Sequence, residues 1–453
     1  MSNAPVTARL AEFCRTIRYD DIPSDAVEVA RQCLLDWLGV TIAGSSEPLA
    51  EMLRAEVLDE GGNAQATLIG SGHQVTAKQA ALVNGAASHA LDYDDVNISM
   101  SGHPSVPIWP ALLALAEWRG GSGKDVLAAF AAGYEMECRI GTLVMPSHYS
   151  TGFHSTGTLG TFGAAAGCAH LLGFDQDQWE RTLGIAGAQA AGLKSMFGTM
   201  CKPLHAGKAA ANGLFAALMA ERGFTSNPEV LETAQGFAAT QATSANTERA
   251  LAGLGEHFAV RDTLFKYHAA CYGTHETIEG VLRLKQANGL AAGDLAGIDL
   301  VVPQGHLAMC NIQQPTTGLE GKFSLRFTAA LAFVDGETSD AAFTDDRVQQ
   351  PRLTALRDRV TVTPQDGDWD RGTGVTLRTS DGRSFSEHVN LNIPAADVAL
   401  QRQRLEAKFR GLAAGVIGSA AAERILREVE EFEHQPSVEH IMEAAVAAAA
   451  GVA

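Results

Sequence analysis

Hydrophobic positions recur at helical spacing through most of the first 265 residues, carried chiefly by Ala, Gly and Leu. The pattern predicts a helix over AVEVARQCLLDWLGVTIAG, with Ser24 as its cap and Gly44 as its stop. Thr76 opens another over AKQAALVNGAASHALDY, and further helices are expected near 104–118, 123–144, 155–172, 177–193 and 206–222. Small residues on facing sides let such helices approach closely. After Lys266 the pattern changes. GIDLVVPQ, RVTVTP and GVTLRTSDGRSFSEHVN carry β-branched alternation, with Ser380-Asp381-Gly382 as a hairpin turn. Helical patterns at 274–288 and 320–335 lie between these strands. From Pro394 onward the helical period returns, in LQRQRLEAKFRGL and AAAERILREVEEFE, and the end, IMEAAVAAAAGVA, is helical by propensity. The expected fold class is mainly α. It combines a large all-helical domain, discontinuous in sequence (1–265 and 393–453), with a smaller α+β domain (266–392).

Composition narrows the function classes. The chain has 453 residues and a formal net charge of −18, with 52 acidic against 34 basic side chains. It has no basic run, so neither nucleic acid nor an anionic membrane surface is an expected partner. Seven scattered cysteines, odd in number and without a C-x-x-C pair, argue against a disulfide framework or zinc ribbon and fit a reducing compartment. The N-terminus lacks an apolar signal region, and no apolar run approaches the ~20 residues of a membrane span. A soluble, cytoplasmic protein is the expectation.

Against that acidic background, imidazole and ammonium groups gather in four Gly/Pro/Ala-rich segments. In HALDYDDVNISMSGHPS, Asp92, Asp94 and Asp95 precede His103, and Pro104 starts the next helix with His103 at its mouth. A carboxylate bonded to an imidazole orients it and raises its basicity; a solvated acidic loop with a capping histidine is the plainer alternative. SHYSTGFHSTG supplies Tyr149 and His154, the latter also readable as an ordinary helix cap. Its Gly157, Gly160 and Gly163 do not form G-x-G-x-x-G and serve helix packing instead. CKPLHAGKAAANG sets Lys202 and His205 immediately before an Ala-rich helix, a good carboxylate site. FKYHAACYGTHETIEG contributes Lys266, Cys271 and His275. There the cysteine reads as a small buried hydrophobe, and His275 with Glu279 at i, i+4 reads as an ion pair or cap rather than metal ligands. Together the segments predict a local cationic pocket for a small anionic carboxylate, working by acid/base chemistry with no cofactor and no metal.

These segments, HALDYDD…HPS, GFHSTG, the K-P-L-H-x-G-x-A-A-x-N-G run at 202–213 and Lys266…Cys271…Thr274-His275, resemble the MmgE/PrpD family in order along almost the whole chain. The resemblance implies a discontinuous helical domain, a smaller α+β domain and a homodimer without metal or organic cofactor. It carries active-site positions onto Asp94, His103, His154, Lys202 and Lys266. It also implies one of three activities on a polycarboxylate: dehydration as by 2-methylcitrate dehydratase, epimerisation of a dicarboxylate such as iminodisuccinate, or decarboxylation of cis-aconitate. Two departures bear on the last. Cys271 stands where that pattern has a histidine, and Phe327 in GKFSLRF stands where it has a tyrosine, so a hydro-lyase is the first expectation and an epimerase the second. In the hydro-lyase and the epimerase, His103 oriented by Asp94 serves as base, with His154 and Tyr149 opposite as acid. Lys202, Lys266, His205 and His275 are the expected substrate-binding groups. A non-catalytic carboxylate-binding homologue is a further alternative.

Overall fold

The apolar stretch after Pro23 forms α1 (Ser24–Gly44), most of whose length is buried. Pro23, not Ser24, occupies the cap position and no side chain caps the helix. Its apolar residues point in nearly every direction, so surrounding helices rather than an end signal hold it. Thr76 does cap α2 (Ala77–Ser88): its hydroxyl accepts from Gln79 N, and the Gln79 side chain accepts from Thr76 N at 3.0 Å. There follow α3 (Ser105–Arg119), α4 (Gly123–Val144), α5 (Ser155–Leu171), α6 (Gln176–Gly187) and α7 (Cys201–Glu221). The last begins five residues earlier than its pattern suggests, because Pro203 is tolerated in a first helical turn. Lys202 and His205 therefore ride on the helix instead of preceding it.

The computed structural model describes residues 5–366 and 371–446. By contacts the chain divides into two units: residues through Phe265 together with those from Ala395 on, and Lys266–Pro394. In the first, α5 lies among α3, α4, α6 and α7. A Cβ on Gly160 would stand 2.6 Å from Pro107 of α3, and one on Gly163 would stand 2.5 Å from the Glu137 carboxylate of α4. Those glycines are required by close helix packing.

The second unit holds α8 (His275–Ala287), β1 (Leu295–Pro303), α9 (Leu325–Val334), β2 (Val360–Gln365), β3 (Thr373–Thr379) and β4 (Ser384–Val389). Its sheet runs β2-β1-β3-β4, with β1 and β2 parallel and the remaining pairs antiparallel. The β3–β4 turn is made at Gly382, at φ +91°. Ile298, Leu300, Val302, Val375 and Leu377 are buried, and α8 packs on β3 and β4. The chain then returns to the first unit as α10 (Val398–Ile417), which lies along α1. Gln401 donates to Gln32 at 2.8 Å, and the Phe409 ring lies against Gly39. Part of the Ala-rich end, from 447 on, lies outside the described residues. Among the described residues no helix is long and apolar enough to cross a membrane.

Candidate active site

Residues 89–104 leave the end of α2 as an irregular segment tied down along its length. Val96 and Leu264 exchange backbone hydrogen bonds at 2.8 Å, and Asn97 N donates to Gly102 O at 3.0 Å. Asp95 accepts from Ser105 Oγ at 2.5 Å and from Ser105 N at 3.3 Å, which fixes the start of α3. His103 N donates to Thr156 Oγ1 of α5 at 3.1 Å. Within this segment Asp92 adopts φ +52°, a left-handed conformation uncommon outside glycine that surrounding contacts must hold. One such contact is Lys202, whose ammonium donates to Asp92 Oδ1 at 2.7 Å.

Four imidazoles converge beside that ion pair. Asp94, 1% exposed at its side chain, faces His89 Nδ1 at 2.9 Å and His103 Nδ1 at 2.8 Å. The His103 approach is short but not linear. His103 Nε2 lies 3.9 Å from Asp92. The His89 ring stands 4.6 Å from that of His103 and stacks 5.7 Å from that of His154. His154 occupies the N-cap position of α5 yet makes no capping bond with its side chain. Its Nδ1 instead meets His205 Nδ1 at 2.9 Å, so one of the two nitrogens carries the shared hydrogen. Room for this pair comes from Gly157, where a Cβ would stand 3.1 Å from that of His205. Phe197 packs edge-on to His154, with the Lys202 ammonium 5.4 Å from its ring centre.

Burial sorts these groups into two classes. It lowers His89 to about 4 against the opposing pull of Asp94, and it lowers His154 well below the usual imidazole range. Burial, then the Lys202 charge, lowers His205 as well. These three rings are neutral near pH 7. Burial alone would raise Asp94, but the His103 and His89 rings that face it hold it well below the carboxylate range. Asp95 is different: burial pushes it up to about 7 despite its bonds to Ser105. The fixed charges of the cluster are thus one ammonium and two carboxylates. Within this unit the fixed charges expected from the sequence to be cationic are instead outnumbered, because Asp92 and Asp94 lie beside Lys202. One ligand-type atom each from His89, Asp92, Asp94 and His103 lies within 4.8 Å of the others. Lys202 already holds Asp92 and both rings already face Asp94, so a cation there would have to displace the ammonium.

The expected residues fall into three places. Asp94, His103, His154, Lys202 and His205 come together. Tyr149 lies on the short helix Ser147–Thr151, where its carbonyl accepts from Lys194 at 3.2 Å and the same ammonium covers its ring at 3.7 Å. The histidine beside it, His148, turns inward to Thr158 and the Gln241 carbonyl. Lys266 and His275 belong to the second unit, in a buried group of their own. His275 Nε2 meets the Ala270 carbonyl at 3.1 Å, and burial, His268 and Lys266 hold its ring neutral. Glu279 does not pair with His275; it faces His268 at 3.3 Å and Arg283 at 3.5 Å. Cys271 is buried, and Phe327 is fully buried in α9, its ring 6.1 Å from that of Phe343. Two site residues were not assigned from the sequence, Asp92 and His89. Both belong to HALDYDD, and the signal was present in the i, i+3 and i, i+5 offsets of Asp92 and Asp94 from His89.

The MmgE/PrpD N-terminal domain matches residues 8–250, and the MmgE/PrpD C-terminal domain matches residues 268–434. Over 456 residues the chain is 28% identical to a cis-aconitate decarboxylase of Aspergillus terreus, covering 94% of this chain and 92% of that one. It is 25% identical over 446 residues to the cis-aconitate decarboxylase of Homo sapiens, at 94% and 92% coverage. It is 23% identical over 370 residues to a 2-methylcitrate dehydratase of Cupriavidus necator, at 76% and 74% coverage. With both domains matched in order across most of its length, the chain belongs to the MmgE/PrpD family.

Proposed function

We propose that this chain is a lyase that moves protons on a small tricarboxylate, using the imidazole cluster of its helical unit. The observation that carries the reading is the pairing of two kinds of imidazole within one buried cluster. The His154–His205 pair is neutral and can accept a proton. His103, with Asp94 at one ring nitrogen and Asp92 at the other, is backed to deliver one. We therefore place the roles opposite to the sequence expectation, with His154 on the accepting side and His103 on the donating side. Lys202 supplies positive charge for a substrate carboxylate, exchanging part of its contact with Asp92 for the ligand. His89 Nε2, buried and without a hydrogen-bond partner among the described residues, is an open acceptor for a substrate hydroxyl or carboxyl proton. A homodimer, cofactor independence and a contribution from Lys266 belong to the reading through the family resemblance, and His275 belongs to it as a further substrate-binding candidate of the same segment.

Two leaving groups are supported by different observations. Loss of water requires both a proton acceptor and a donor, and the cluster offers both; burial of Phe327 and the thiol at Cys271 also favour this reading. Loss of CO₂ requires a donor to the carbanion left behind, and relatives matched over 94% of this chain bear that activity in their names. Proton NMR in D₂O of the purified protein with cis-aconitate and with 2-methylcitrate separates them. Decarboxylation releases CO₂ and leaves a methylene-bearing dicarboxylate, whereas dehydration yields an alkene with all carboxylates retained. Deuterium wash-in at a carbon next to a carboxylate, without loss of either group from a tricarboxylate or aspartate-derived dicarboxylate panel, would replace the lyase reading with an epimerase. Tight binding with no turnover of any member of that panel would leave only a carboxylate-binding protein.

A further inference from the structure

Lys408 lies on α10, more than 300 positions along the chain from the Asp92–Asp94 segment, and its side chain is 4% exposed. Its ammonium donates to Asp36 Oδ1 on α1 at 2.6 Å and to the backbone carbonyl of Tyr93 at 2.6 Å. The same ammonium stands 3.9 Å from the centre of the Tyr93 ring. Tyr93 is the residue between Asp92 and Asp94. We infer that Lys408 is a positioning residue, which clamps the Asp92–Tyr93–Asp94 segment so that Asp92 reaches Lys202 and Asp94 reaches His89 and His103. The inference rests on reading that cluster as the active site.

The ion pair with Asp36 alone would neutralise a buried lysine. The additional bond to Tyr93 O is what connects α10 to the site. It falls immediately after Asp92, where the backbone is in its left-handed conformation, and immediately before the carboxylate that holds two rings. An uncompensated rotation about that peptide would turn the Asp94 carboxylate relative to that of Asp92, since Tyr93 ψ and Asp94 φ lie between the two. Displacements of about 1 Å at such groups can cost on the order of a hundredfold in rate. The clamp also gives the returning segment a role in the site to which none of its own side chains has been assigned.

Lys408→Met alone would leave the Asp36 charge buried and unbalanced, so loss of activity there would not separate positioning from folding. Two paired variants do. Asp36→Asn/Lys408→Met and Asp36→Asn/Lys408→Gln both remove the two charges together, but only the glutamine can still donate to Tyr93 O. Both pairs are expected to melt within a few degrees of the wild type. The methionine pair should lose at least tenfold in kcat with KM changed less than threefold. It should also show at least tenfold faster amide hydrogen exchange across 89–103, with exchange in α5 unchanged. The glutamine pair should recover part of both. Wild-type kcat and wild-type exchange in the methionine pair, or identical behaviour of the two pairs, would overturn the assignment. Should the wild type convert neither cis-aconitate nor 2-methylcitrate, the lyase reading fails, and the exchange comparison still decides the role of Lys408.

Discussion

Replacing Asp94 by asparagine tests the cluster most directly, because it removes one charge at nearly constant volume. In the native protein the carboxylate faces His89 Nδ1 at 2.9 Å and His103 Nδ1 at 2.8 Å. An amide offers one acceptor atom where the carboxylate offers two, and its other end donates. Its single oxygen would have to serve both ring nitrogens, or its NH₂ would face one of them, so the two contacts cannot both stay as they are. A hydrogen bond to a charged group is worth about 1.5–3 kcal/mol. Losing the carboxylate that faces His89 and His103 should lower kcat by roughly 10–10²-fold, since each tenfold corresponds to about 1.4 kcal/mol. The assay is NMR-monitored turnover of the substrate identified in the D₂O panel, with a thermal melt to confirm folding. Asp95→Asn is the internal control. That carboxyl is already pushed up to about 7 by burial and its bonds go to Ser105 at the start of α3, so the loss there should stay within about tenfold. Folded Asp94→Asn protein turning over within threefold of the wild type, or as fast as Asp95→Asn, would refute the proposal that Asp94 governs the reacting rings.

Three further outcomes follow from the same geometry. Lys202→Ala and His154→Ala should each lose roughly 10²-fold or more in rate, as expected for a positioned charge or proton carrier; near-normal turnover by both would move the site elsewhere. Stability should fall on acidification. His89 is lowered to about 4 from an unfolded value of 6.5, so the unfolded chain takes up its proton first. Its contribution, about 3 kcal/mol, is intact above pH 6.5 and lost as the pH falls toward 4. Urea midpoints measured from pH 7.5 to 4.5 should show that slope, and His89→Gln should flatten it; an unchanged slope in the variant would contradict the assignment. Phe327→Tyr should cost about 1–3 kcal/mol, because the added hydroxyl enters a fully buried position, and should bring no gain in turnover. A tenfold gain in decarboxylation would show instead that a phenol at 327 reaches substrate.

The parts of this fold that were legible in the sequence are those governed by local chemistry. Thr76 opens its helix as the sequence predicts, where the structure completes the cap with Gln79, and the helix from Gly123 to Val144 matches its expected bounds. The three β-branched runs all became strands of one sheet. Failures occur where a helix end is decided by packing. Pro203 reads as a boundary but sits inside the first turn of α7, which moves Lys202 and His205 onto the helix and lets His205 meet His154. The site was legible as a set of residue types and only partly as a set of partners. His154 reads equally well as a helix cap, and only the Nδ1–Nδ1 contact with His205 decides between the two.

Asp92 and Asp94 are separated by one residue and look equivalent in DYDD. Yet the left-handed backbone at Asp92 sends one carboxylate to an ammonium and leaves the other between two imidazoles. No periodicity encodes that divergence. It is imposed by Lys202 on one side of the segment and Lys408 on the other, contributed by helices about 200 residues apart. Those two lysines carry like charge but different duties: one sits in the cluster between Phe197 and Asp92, the other is sealed between α1 and α10. A composition-based expectation of a cationic pocket counts such lysines alike. The structure separates them by what each ammonium touches: Lys202 holds the Asp92 carboxylate, and Lys408 holds Asp36 and the Tyr93 carbonyl.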